Sequence, residues 1–214
     1  MQQQRGFSLL EMTIVILVLS LILASTAQFL RVQSEYKALK ATDKQLQVIR
    51  EALLGFATLE NRLPCPAADE NGQAETTLCD AEGYLPWVDL AIDGRDAWGN
   101  IFRYRIDKNF ASDIPDDVQT YSNLKIKNVA GTIDWTVANS SATCKKNAST
   151  IVVCSRVVAI FFSVGANKHA DSRNTGGDAT YAYDEYSDDF DDRLLWLGVS
   201  DLVGGMLRVG KWPF

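Results

Sequence analysis

The chain has 214 residues, 47% hydrophobic and 22% charged, with 5 prolines, which excludes whole-chain disorder and collagen-like repeats. Its length allows one domain with additional pieces or two small ones. A net charge of −6 argues against nucleic acid as the main partner, and a single histidine, His169, argues against a His-rich zinc site or a Ser-His-Asp triad. The acidity is uneven. From Asp171 to Asp192 there are eight acids against one base, Arg173, so the rest of the chain carries a slight positive excess.

The N-terminal stretch is the most informative. Met12 to Leu30 contains no charged residue, and nineteen residues at 1.5 Å each reach about 28 Å as a helix, close to a bilayer core. Before it lies Met-Gln-Gln-Gln-Arg-Gly, with Arg5 as its only charged side chain. The positive-inside tendency keeps that end cytoplasmic and sends the remainder across the membrane. Two processing sites compete. Cleavage after Ser25-Thr26-Ala27 is the pattern of an ordinary secretory signal and leaves Gln28 first. The other cut falls before the apolar run, after Gly6.

Arg5-Gly6-Phe7-Ser8-Leu9-Leu10-Glu11, followed by the apolar run, resembles the class III signal of type IV pilins and type II secretion pseudopilins. That signal is a short basic leader ending in Gly, an aromatic first mature residue, a glutamate four residues later and an unbroken apolar helix. A glutamate at the head of a membrane span is expensive, which makes the pattern specific. The resemblance implies that Gly6 precedes the bond cut by a prepilin peptidase and that Phe7 is the N-methylated mature N-terminus. It also implies that Glu11 meets the N-terminal ammonium of a neighbouring subunit. Such pairing offsets much of the cost of a carboxylate in lipid. Many relatives carry a helix-kinking proline where this chain has Gln28, and here no proline precedes Pro64.

Beyond the apolar run, Leu39, Leu46, Ile49, Leu53 and Phe56 mark one face of an amphipathic helix. The pattern predicts one helix from about Phe7 to about Leu59. Its second half must bury that stripe against a globular head. Pro64-Cys65-Pro66 stops it. The four cysteines of an exported head suggest two disulfides. Of three connectivities the local one is preferred, Cys65–Cys79 with Cys144–Cys154. No pair has the C-x-x-C spacing that would favour zinc.

Gly99-Asn100 supplies a turn, with a strand over Ile101 to Ile106 after it. Asp96-Ala97-Trp98-Gly99-Asn100-Ile101-Phe102-Arg103-Tyr104 resembles the D-x-W-G-x-P-x-x-Y signature of major pseudopilins, with Ile101 in the proline position; read from the residues alone it is a turn held by a buried Trp. Further strands are expected over Thr132–Val137 and Ile151–Val164, the latter central and two-sided. Ser163-Val164-Gly165-Ala166-Asn167 resembles the loop that follows the last core strand of major pseudopilins, where that loop and the acidic segment after it bind calcium. On chemistry alone, the six carboxylates from Asp184 to Asp192 suit calcium, although the EF-hand pattern is absent. Asp189, Asp191 and Asp192, beside a strand over Leu194–Leu197, are the expected ligands, with Asn167 as a further one. The competing reading is a solvated acidic loop. Near the C-terminus Ser200 is the expected N-cap of a short helix weakened by Gly204 and Gly205. Trp212 and Phe214 either dock on the head or form an apolar tip.

The expected fold is α+β: a long N-terminal helix, half in the membrane and half amphipathic, against an antiparallel sheet. The expected organisation is a leader over 1–6, an assembly segment over 7–30 and a periplasmic head over 31–214. The resemblance implies a minor pilin or pseudopilin, a filament subunit and no enzyme. The resemblance also implies anchoring in the bacterial inner membrane before assembly. Its implied partners are prepilin peptidase, other subunits and the inner-membrane assembly platform. The alternative is an adhesin or ligand-binding module displayed on a pilin stem. A secreted enzyme has no nucleophile motif or Gly-rich phosphate loop to support it.

Overall fold

Helix α1 runs over Leu9–Glu60. Its residues up to Lys40 belong to one compact unit, Met1–Lys40, and those from Ala41 to another, Ala41–Phe214. The computed structural model describes residues 8–77, 79–114, 122, 124–132, 156–176 and 178–211, without the side chains of 24–28.

In the first unit the apolar side chains from Leu9 to Leu23 are exposed, Ile16 at 60% and Leu23 at 68%. The two hydroxyls among them are satisfied within the helix: Thr13 Oγ1 donates to Leu10 O and Ser20 Oγ to Ile16 O. Among the described residues no helix is long and apolar enough to cross a membrane. The side chains of residues 24–28, inside the expected span over Met12–Leu30, lie outside the described residues.

In the second unit α1 buries Thr42, Leu46, Ile49, Leu53 and Ala57, spaced four, three, four and four apart. The expected stripe is present there, with Phe56 half-buried at its margin. The helix ends at Glu60 because Asn61 takes a left-handed conformation (φ 56°) and its N–H returns to Ala57 O. The prolines lie beyond that stop.

Four strands, β1 (Gly83–Tyr84), β2 (Arg103–Ile106), β4 (Val157–Ser163) and β6 (Arg193–Gly198), form an antiparallel sheet in the order β1-β2-β4-β6. The expectation of an α+β fold with a helix on an antiparallel sheet is met. The strand expected from Ile101 begins at Arg103, since Ile101 pairs with Arg95 across the preceding turn. β4 is buried at every residue and is shared between two cores. Val158, Ala159 and Phe161 join the core under α1, whereas Val157, Ile160 and Phe162 join a second core on the other face. Burying each phenylalanine contributes about 2–3 kcal/mol relative to exposure.

The second core is closed by a parallel pair the periodicity does not announce, β3 (Lys125–Lys127) with β5 (Thr180–Ala182). Glu82 ties this pair to the main sheet. It accepts from Arg103 Nε and Nη2 at 3.0 and 2.8 Å on one oxygen and from the Tyr181 hydroxyl at 2.7 Å on the other. Helix α2 (Val199–Arg208) is capped by Gly198, whose N–H donates to Asp201 Oδ2; Ser200, the expected cap, lies inside the first turn. Asp201 also pairs with Arg50, and Gly205 lets α2 come close to Leu54.

The Cys65–Cys79 disulfide is formed. Cys144 and Cys154, and the parts 133–137 and 151–155 of the two expected strands, lie outside the described residues, as do Trp212 and Phe214.

Candidate functional site

The acidic stretch does not behave as one loop. β6 begins at Arg193, and the two residues before it, Asp191 and Asp192, are drawn into the protein at 6% and 3% exposure. Ser187 and Phe190 bridge to each other, so Asp188 and Asp189 sit at the exposed tip of a turn. Asp189, an expected ligand, is not brought to the buried pair. Asp171, twenty residues before Asp191, is the acid brought there instead. Carboxylate oxygens of Asp171, Asp191 and Asp192 lie within 4.8 Å of one another.

The loop after β4 builds the cluster by holding one oxygen of each buried carboxylate. Asn167 N–H donates to Asp191 Oδ2 at 2.8 Å. Asp171 N–H and Asn174 Nδ2 donate to Asp192 Oδ2 at 2.8 and 2.9 Å. Asp191 N–H closes the ring by donating to Asp171 Oδ2 at 2.9 Å. Asn167 is used as a brace: its Oδ1 accepts from His169 N–H and its Nδ2 donates to Asp171 Oδ1.

The other oxygens are unanswered. Asp191 Oδ1 and Asp192 Oδ1 are buried without a hydrogen-bond partner. None of the ion pairs among the described residues involves the three acids. Burial pushes the Asp192 carboxyl up to about 7, with the neighbouring Asp171 and Asp191 charges adding to the rise against the two hydrogen bonds it accepts. Burial raises Asp191 as well, opposed by the Asn167 N–H. Buried anions with free lone pairs and no counter-charge are costly, and a hard cation coordinated by oxygen removes that cost. The donor set fits calcium on these grounds: carboxylates only, no sulfur, no imidazole.

At the other end of the chain, Gly6 and Phe7 lie outside the described residues. Glu11 occupies the first turn of α1 and is exposed. The model of the prokaryotic N-terminal methylation motif matches residues 1–27. Residues 1–27 carry the type IV pilin/pseudopilin signal. The signal supports a prepilin-processed subunit of pilin or pseudopilin type, and it suggests a structural subunit and not an enzyme. It implies assembly with other pilin subunits and processing by prepilin peptidase. No curated protein and no solved structure matches the chain.

The turn at Asp96–Asn100 completes the picture around the cluster. The sequence suggests a buried Trp as its anchor, but Trp98 is half-buried and the anchor is Asp96, at 6% exposure. Asp96 Oδ1 accepts the N–H groups of Trp98 and Asn100. Its Oδ2 accepts from Asn100 Nδ2 and from Ser163 Oγ, the latter at 2.5 Å. Gly99 takes φ 86°, the left-handed region a glycine enters without strain.

Proposed function

We propose that the chain is a minor pilin or pseudopilin. Prepilin peptidase cuts it between Gly6 and Phe7, and its N-terminal helix carries it from the bacterial inner membrane into a filament. The observation that carries this reading is the methylation motif over residues 1–27, with Glu11 at the head of α1. Phe7 then provides the methylated ammonium, and Glu11 of one subunit neutralises that of the next in an apolar environment. The inner-membrane assembly platform is the third partner. The test is the mass of the first peptide after co-expression with a prepilin peptidase. A chain beginning at methylated Phe7 supports the reading; one beginning at Gln28 overturns it.

Calcium is part of this reading. Asp191 Oδ1, Asp192 Oδ1 and an Asp171 oxygen would hold it, with backbone carbonyls and water completing the six to eight oxygens it takes. The support is the pair of buried oxygens without partners. Titration of the metal-free chain with calcium, and with magnesium as a second arm, tests it.

A second reading, a ligand-binding head displayed on a pilin stem, has one observation in its favour. A polar cleft of about 490 Å³ opens beside the cluster, with Tyr84, Arg95, Lys168 and His169 on its walls.

A further inference from the structure

We propose that the Asp96–Asn100 turn is the positioning element of the cation site, with Asn100 as its central residue. This rests on reading Asp171, Asp191 and Asp192 as that site. Asn100 touches no carboxylate of the cluster. It acts through Gly165.

Asn100 Nδ2 divides its two hydrogens between Asp96 Oδ2 at 3.0 Å and Gly165 O at 2.7 Å. Gly165 is gripped at its other end too, since its N–H donates to Ser163 Oγ at 3.1 Å, and that hydroxyl donates to Asp96. Both peptide groups flanking Gly165 are thus referred to the one buried carboxylate of Asp96. Gly165 in turn bears on Asp191. With φ 66° and no side chain it lies so close that a Cβ would stand 2.4 Å from both Cγ and Oδ1 of Asp191. One wall of the Asp191 carboxylate is therefore the Gly165 backbone, and the Asn167 N–H is the opposing restraint on Oδ2. Where Asp191 Oδ1 points is set by a backbone that Asn100 and Asp96 hold.

The same turn is fastened to α1. Ala97 N–H donates to Thr42 Oγ1 at 3.3 Å and Gln45 Nε2 to Arg95 O at 2.8 Å. Groups that orient a ligand without touching the metal commonly change affinity about 10–100-fold when removed. Linkage requires the reverse effect: a cation that prefers the ordered loop must also order the turn, and with it the contacts at Thr42 and Gln45.

The experiment uses the full chain in detergent micelles. Calcium affinity is measured calorimetrically for wild type and for Asn100→Ala, and backbone hydrogen exchange is followed in wild type with and without calcium. The expected result is an affinity loss of about tenfold or more in Asn100→Ala. Slower exchange on calcium addition is expected at residues 95–100 and 42–45 as well as at 165–171. If Asn100→Ala binds calcium as wild type does, or if protection is confined to 165–171, the positioning role is overturned while the cation site stands. If wild type binds no divalent cation, the site reading fails and this inference with it. Should Asn100→Ala not fold, the wild-type exchange pattern alone decides.

Discussion

Asn174 is wholly buried and donates through Nδ2 to Asp192 Oδ2 at 2.9 Å and to Ala182 O at 3.1 Å, while its Oδ1 accepts Ala182 N–H. One side chain thereby joins the 3-10 turn at Ser172–Thr175, strand β5 and the residue before β6. Truncating it strands the Ala182 N–H and carbonyl in the interior and leaves Asp192 Oδ2 with the Asp171 N–H alone. Asn174→Ala is expected to destabilise the metal-free head by about 2–3 kcal/mol in a denaturant titration. Asn174→Asp should be worse still, since it adds a fourth carboxyl to the cluster.

Calcium should raise the unfolding temperature, and a chelator should reverse the rise. Asp191→Asn and Asp171→Asn are expected to abolish most of the calcium-dependent shift. Asp189→Asn, at the exposed turn, is expected to leave it intact. Differential scanning calorimetry of the four proteins with and without chelator checks all of these. An equal loss in Asp189→Asn would return the site to the density of the acidic run.

The pH dependence follows from Asp192. Without cation its carboxyl titrates at about 7 in the folded head, against about 3.9 in an unfolded chain. The folded state holds the extra proton between those values, so metal-free stability falls as pH rises from about 4 to about 7 and then levels. Calcium takes the deprotonated form, so the loaded protein should lose that slope or invert it. Unfolding temperatures from pH 5 to 8, in chelator and in calcium, give the two curves. In chelator above pH 7, Asp192→Asn should unfold at a higher temperature than wild type.

Much of this is legible in the sequence, for reasons that differ by element. The N-terminal signal is legible because its chemistry is local: one glutamate heads an apolar run and a glycine precedes an aromatic. Cys65–Cys79 is legible because short separation favours closure. Counting charges rewards density and passes over Asp171 as a ligand, since it stands apart from the dense run Asp184–Asp192. Its signal was the Asn167-x-x-x-Asp171 spacing in the loop after β4, where a side-chain amide can brace a carboxylate. β3 and β5 carry almost no period, since each has three residues and two of those of β3 are lysines.

The Cys65–Cys79 bridge closes a loop of about 15 residues, for which chain entropy gives about 3 kcal/mol. The double substitution Cys65→Ser with Cys79→Ser is expected to lower stability by roughly that amount. It should leave calcium affinity within about twofold, because no hydrogen bond of the cluster passes through the loop. A denaturant titration and a calcium titration on the same sample separate the two effects.

The central strand has a consequence for biosynthesis. β4 is flanked in the sheet by β2, some fifty residues earlier, and by β6, some thirty later, and its run Val157-Val158-Ala159-Ile160-Phe161-Phe162 is uncharged and rich in β-branched and aromatic residues. Until Arg193–Gly198 has emerged, one whole edge of that run is bare. Such windows pair readily with copies of themselves. A nascent head delivered slowly, or truncated before β6, would therefore be a substrate for chaperones and proteases.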